Sequence, residues 1–115
     1  MQFMLTIYDT EKTWHSMSEA ERGERMRAYG AFTKALIDGG HYKSGNALQP
    51  VATATTVRLR EGKAQQSKGP AVETAEQFSG YYLVEAKDLE EACALAARVP
   101  SADFGSIEVR PVRAM

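Results

Sequence analysis

Twice in this chain a strand of alternating side chains leads to a helix capping box, and that repetition limits the fold more than any other feature. Phe3, Leu5 and Ile7 alternate with Gln2, Met4, Thr6 and Tyr8, a period of two in β-favouring residues. Bulk on both sides predicts a central strand. Asp9 to Met17 reads as polar and irregular. Ser18, with Glu21 three residues on, then opens a helix whose first-turn N–H groups these two side chains satisfy. Met26, Tyr29, Phe32 or Thr33, and Leu36 follow at helical spacing, and Gly39-Gly40 ends the run. Gly80 to Ala86 alternates again, with Tyr82, Val84 and Ala86 on one side and Tyr81, Leu83 and Glu85 on the other. Asp88 and Glu91 start the second helix, its buried stripe being Leu89, Ala92, Cys93, Ala96 and Val99, with a stop before Pro100.

The remaining strands fall around these two units. His41 to Asn46 is a short second strand, and Ala47 to Ala52, holding Pro50, is a connection. Ala54 to Arg60 places Thr55, Val57 and Leu59 on one face and Thr56, Arg58 and Arg60 on the other. Glu61-Gly62 is a tight turn into Lys63 to Ser67, a polar strand suited to a sheet edge. Gly69-Pro70 follows, and Ala71 to Phe78 reads as a loop with one helical turn. Ser106 to Val112 closes the chain, with Ile107 and Val109 inward and Glu108 and Arg110 outward. The order is β-α-β-β-α-β with a hairpin extension after the third strand. It predicts an α+β ferredoxin-like fold: an antiparallel sheet of four or five strands with two helices on one face.

At 115 residues, with no repeat, linker or low-complexity tract, residues 1–115 read as one domain. Fourteen Lys and Arg against fifteen Asp and Glu leave a formal charge of −1, and the cations are scattered singly. Nucleic-acid binding is disfavoured, because it needs a concentrated positive face. The apolar runs are short and Met1 begins directly in a strand, so neither a signal peptide nor a membrane span is expected, and a cytoplasmic location is the simplest reading. Cys93 is the single cysteine, which rules out an intramolecular disulfide and leaves a cysteine-based zinc site without ligands. No cofactor is expected, since Gly39-Gly40 and Gly62 stand alone and form neither common phosphate-binding loop.

Helices on one face leave the opposite face of such a sheet in need of water or a partner. That face is expected to carry Thr6, Tyr8, Arg58 with or without Arg60, Tyr81, Leu83, Glu85, Glu108 and Arg110. It is too aromatic for a wholly wetted surface and too polar for a core. Two compatible readings follow: a homodimer that stacks these faces, or a pocket whose Tyr, Arg and Glu side chains hold a small polar or aromatic molecule.

The segments Ala47-Leu48-Gln49-Pro50-Val51-Ala52-Thr53-Ala54-Thr55-Thr56-Val57-Arg58, Lys68-Gly69-Pro70-Ala71-Val72-Glu73-Thr74 and Gly80-Tyr81-Tyr82-Leu83-Val84 resemble the YCII-related family, in its DGPF branch. Met4-Leu5-Thr6-Ile7-Tyr8 and Ile107-Glu108-Val109-Arg110-Pro111 fit the same pattern, so the likeness spans nearly the whole chain. It implies a dimeric ferredoxin-like α+β barrel from bacteria, in a family whose members mostly lack an established activity. Lys68 stands where the branch has Asp, and Ala71 where it has Phe, so any role of that Asp is lost here. The wider family is thought to use a His and Asp pair, and one member is similar to a dehydrochlorinase of a chlorinated aromatic. Neither His15 nor His41 aligns securely with that His, so the pair is not carried over.

Candidate chemistry is sparse. His15, beside Trp14, has an unperturbed pKa near neutrality and suits a general base; the competing reading is an exposed histidine. His41, three residues after Asp38, can form a His and carboxylate pair, although spacing alone supplies no orienting partner. Glu73 can exchange protons if burial raises its pKa, or can simply stabilise a helix start. Tyr8, Tyr81 and Arg58 can hold an anionic or phenolic ligand, or pack an interface. The residues support two functions: proton transfer of lyase or isomerase type, or a dimeric module that binds a metabolite or protein without catalysis.

Overall fold

In the computed structural model, which describes residues 1–114, β1 (Gln2–Asp9) lies at the centre of a four-stranded antiparallel sheet. It pairs with β5 (Gln77–Glu85) on one side and β6 (Ser106–Pro111) on the other, and β2 (Tyr42–Ala47) flanks β5, giving the order β2-β5-β1-β6. The register sets Phe3 opposite Val84 and Leu5 opposite Tyr82, so one face of β1 and β5 is continuous and apolar. Against that face pack α2 (Glu19–Asp38), through Phe32 and Leu36, and α3 (Leu89–Ala96), through Ala92, Leu95 and Ala96. Phe3, Leu5, Leu36, Val84 and Val99 are sealed from solvent; each contributes about 1.5–3 kcal/mol by leaving water. This is the expected ferredoxin-like α+β fold.

The local signals act as read. The Ser18 hydroxyl accepts from Glu21 N–H at 3.1 Å, while the Glu21 carboxylate accepts from Ser18 N–H at 3.0 Å. The same helix ends in a Schellman turn: Gly40, at φ 77°, takes the left-handed C′ position, and His41 N–H reaches back to Leu36 C=O at 2.8 Å. Asp88 caps α3 by accepting from Glu91 N–H at 2.9 Å, but the Glu91 carboxylate accepts from Lys87 N–H, one residue earlier than a capping box requires.

Several expectations need correction. Thr55 to Arg60 does form a strand, β3, yet it does not join the main sheet: it pairs only with β4 (Lys63–Lys68), as a separate two-stranded sheet. Its turn, Glu61-Gly62 with φ 51° and 76°, brings the nearest partner strand back within two residues. Arg58 and Arg60 therefore lie on an arm, away from the open sheet face. Asp9 to Met17, expected to be irregular, holds a short helix, α1 (Glu11–Ser16), pinned by Glu11 N–H donating to the Gln77 side chain at 2.9 Å. Ala71 to Phe78 has no helical turn, and β5 begins already at Gln77. Met26, Leu89 and Cys93 are exposed, so the buried stripes of α2 and α3 are narrower than their periodicity indicates. Among the described residues no helix is long and apolar enough to cross a membrane.

Candidate functional site

Phe3, Leu5 and Ile7 point into the core, and the same alternation carries Asp9, the last residue of β1, inward as well. Asp9 is only 9% exposed. A carboxylate there must find donors, and two serines supply them. Ser79 Oγ donates to Asp9 Oδ2 at 3.2 Å and also approaches Ile7 C=O at 3.3 Å. Ser101, buried in the 3₁₀ turn Pro100–Asp103, hydrogen-bonds the same carboxylate and shares a hydrogen bond with the Tyr29 hydroxyl from α2. Tyr29, Ser101, Asp9 and Ser79 thus form one polar array, drawn from four elements, beside the apolar core, with Asp9 and Ser101 buried and Tyr29 and Ser79 half-buried. No buried side-chain polar atom among the described residues lacks a partner.

Burial raises the Asp9 pKa; the serine hydrogen bonds pull it back, and the nearby Glu11 and Glu76 carboxylates push it further up. Burial likewise raises Tyr29. Glu11 is itself anchored, its carboxylate accepting from Val51 N–H at 2.8 Å, which ties α1 to the connection after β2.

Asp9, Tyr29 and Ser101 open onto a cleft of about 410 Å³ at this end of the sheet, within the range that encloses small ligands. Trp14 and His15 from α1 and Tyr42 and Tyr82 from the strands supply its aromatic walls. Its floor is bare because Gly45 and Gly80 carry no side chain. A Cβ at Gly45 would meet the Tyr82 ring at 2.8 Å, and one at Gly80 would meet Asn46 C=O at 2.8 Å, so both glycines are required for strands and ring to lie this close. Tyr82, so placed, shares a hydrogen bond of 2.8 Å with Thr33. A broader depression of about 670 Å³ lies along α2; of the two arginines that line it, Arg25 and Arg98, Arg25 is already bound to Asp103 at 2.7 and 2.8 Å and to Pro100 C=O at 2.7 Å. The chemistry is concentrated at Asp9. No group of three or more His, Cys, Asp or Glu among the described residues is arranged to hold a metal ion.

The expected site residues are dispersed by the fold. His15 lines the Asp9 cleft, on the exposed side of α1. Tyr81 lies at the cleft's edge, where its hydroxyl accepts from Asn46 Nδ2 at 2.9 Å. Tyr8 is half-buried on the open face, its ring 5.7 Å from Phe78. His41 sits at the opposite end of β5, its Nδ1 2.8 Å from Glu85 C=O. Glu73 is exposed between the arm and β5, and Arg58 is exposed on the arm, donating to Ala71 C=O at 3.3 Å. Asp9, Tyr29, Ser79 and Ser101 belong to no catalytic spacing motif and are not among the residues the sequence singles out for chemistry. One signal was present: Asp9 is a carboxylate at an inward position of a strand whose other inward residues are apolar.

The YCII-related domain family matches this chain over residues 1–115. An uncharacterised protein of Rhizobium meliloti (strain 1021) is 31% identical over 114 residues, which cover 97% of this chain and 92% of that protein. Among solved structures, the 5-chloro-2-hydroxyhydroquinone dehydrochlorinase of Burkholderia phenoliruptrix AC1100, in complex with 2,5-dihydroxybenzoquinone, superposes with a TM-score of 0.58 at 13% identity. That alignment covers 98% of this chain and 94% of the other, and shows a shared fold. With a family match along its full length and a relative above 30% identity, the chain belongs to the YCII-related family.

Proposed function

We propose that this protein is a small-molecule enzyme of lyase or isomerase type, in which Asp9 exchanges a proton with a ligand held in the cleft. The observation that carries the reading is a buried carboxyl group with a raised pKa, facing an aromatic-walled space of about 410 Å³. A carboxyl group whose pKa is raised by burial is a stronger base than a solvated one and better suited to proton transfer. Such a step needs no redox partner: the base takes a proton from the substrate and a leaving group or a shifted double bond accepts the electron pair. Trp14, Tyr42 and Tyr82 suit a flat ring, and Tyr29 and Thr33 offer hydroxyl groups to its substituents. The fold shared with a dehydrochlorinase that binds a dihydroxybenzoquinone adds weight to hydroxylated rings as the substrate class.

The test is calorimetric titration of a hydroxylated quinone series into wild type and Asp9→Asn. Wild-type binding that varies with pH, and that weakens at least tenfold in the variant with loss of the pH dependence, supports the reading. Equal affinity in both proteins removes Asp9 from the site. Binding without turnover points instead to a metabolite-binding module. We also propose that the open face, with Met4, Tyr8, Tyr81 and Leu83 only half-buried, pairs with a second copy of the chain in a homodimer.

A further inference from the structure

The cleft beside Asp9 has walls of one electrical character. Asp9 and Glu11 both line it, and among the described residues none of the chain's fourteen Lys and Arg side chains does. His15 is the remaining nitrogen base on the wall, on the exposed side of α1. Arg58, expected beside Tyr81 to hold an anionic ligand, lies on the β3–β4 arm instead and does not line the cleft. The two charges that act most on Asp9, Glu11 and Glu76, are negative as well. The groups that satisfy these carboxyl groups are neutral: serine hydroxyls for Asp9, Val51 N–H for Glu11 at 2.8 Å, and the Ser106 hydroxyl for Glu76 at 2.8 Å. Such donors occupy lone pairs but leave the charge of an ionised carboxyl group uncancelled.

The rest of the wall is largely aromatic. Trp14, Tyr29, Tyr42, Tyr81 and Tyr82 line the same space, and the Tyr42 and Tyr82 rings stand 6.4 Å apart at 73° to one another. The face of such a ring is negative and attracts a cation placed over it. Carboxyl groups and ring faces therefore act in the same direction. They stabilise a positive group, and they penalise an anion, which would lose its water here with no counter-charge in return. Asp9 and Glu11 are two residues apart at the junction of β1 and α1, so one cation entering between them relieves their mutual repulsion.

We infer that the cleft selects its ligand by charge, taking a hydroxylated ring that bears a protonated amino group and rejecting rings that bear a carboxylate, sulfonate or phosphate. The ring lies among Trp14, Tyr42 and Tyr82, and the ammonium group turns to the Asp9 and Glu11 carboxyl groups. Glu11 then has two tasks: it anchors α1 through Val51 N–H, and it supplies negative charge to the cleft.

This selectivity rests on the cleft being the ligand site proposed above, and one set of titrations separates the two. Dihydroxybenzylamine, dihydroxybenzyl alcohol and dihydroxybenzoate of one ring pattern differ chiefly in being positive, neutral and negative at neutral pH. Each is titrated by calorimetry into wild type, Glu11→Gln and Asp9→Asn, and quenching of Trp14, the chain's one tryptophan, reports entry into the cleft. The expected wild-type result is binding of the amine at least about tenfold tighter than of the alcohol, and of the benzoate at least about tenfold weaker. Glu11→Gln retains an oxygen for Val51 N–H, so α1 stays anchored, and it should cut the amine's advantage at least about threefold with the alcohol unchanged. Equal affinity for the three compounds, or tightest binding of the benzoate, overturns selection by charge and leaves Asp9 as the proton-exchanging group. A preference for the amine that survives in full in both variants also overturns it. Absence of Trp14 quenching by all three compounds overturns both the selection and the cleft as a ligand site.

Discussion

Where β1 finishes, a carboxylate, two serines and a tyrosine are drawn into the core; where it begins, a histidine, a carboxylate and an amino terminus meet at the surface. Asp9 at the first end is almost sealed, and its pKa rises because burial outweighs its hydrogen bonds. Glu85 at the second end bonds the Met1 ammonium while its side chain stays 41% exposed, and its pKa is lowered by that contact. His41 beside it is oriented by a backbone carbonyl and lines neither of the two depressions described above. Residue type does not separate these ends. Desolvation does: it makes one carboxyl a candidate for proton transfer and leaves the other as a solvated ion pair.

The largest expected effect compares glycines at the two ends. A Cβ on Gly105 would lie 2.3 Å from Tyr8 C=O, beside Asp9, so backbone must move. Gly105→Ala is expected to cost about 2–3 kcal/mol in urea unfolding. A Cβ on Gly39, at the other end, chiefly meets the movable His41 ring at 2.9 Å, and Gly39→Ala should stay within about 0.5 kcal/mol of wild type. Equal costs would break the contrast in tightness.

Next comes the pH dependence of stability. The folded pKa of Asp9 is raised above its ordinary value of 3.8, so between those two values the folded state binds more proton than the unfolded state. Its contribution to stability is fully present below 3.8 and declines as pH rises through the raised value. Asp9→Asn should abolish that decline, so the variant gains on wild type as pH increases. Parallel stability curves for the two proteins would mean that Asp9 is not desolvated in solution.

His41→Ala is expected to lose about 1 kcal/mol, the net worth of one hydrogen bond, with ligand affinity at the cleft unchanged. A loss of affinity as large as that of Asp9→Asn would place His41 in the site after all. The smallest effect belongs to Glu85→Gln. Its lowered pKa gives stability that is present above 4.5 and lost as pH falls through the folded value. The variant should therefore differ from wild type only above the acid limb, and the difference should vanish in high salt.

Much of the fold was legible because its signals are local. Ser18 with Glu21 and the pair Gly39-Gly40 are satisfied within a few residues of themselves, and the strands declare themselves by alternation. The site was less legible. Ser79 lies 70 residues from the Asp9 it serves, and Ser101 lies 72 residues from Tyr29, so no spacing rule joins them. His15 was found and does line the cleft, but as one wall of a site whose centre, Asp9, had been assigned to a polar loop. Arg58 shows a different failure. Its strand was foreseen, but alternation specifies that a segment is extended and not which neighbour it pairs with.

The residues by themselves determined most of the strands, the caps, the Glu61-Gly62 turn and the β-α-β-β-α-β order of the main sheet and its two packed helices, because backbone hydrogen bonding and steric preference act over one or two turns of chain. Tertiary structure alone decided that Asp9 would be stripped of water, that Cys93 and Met26 would face outward, and that the β3–β4 arm would leave the sheet. Desolvation and strand pairing depend on groups that meet only when distant segments pack, and their energies do not exist until that packing is complete.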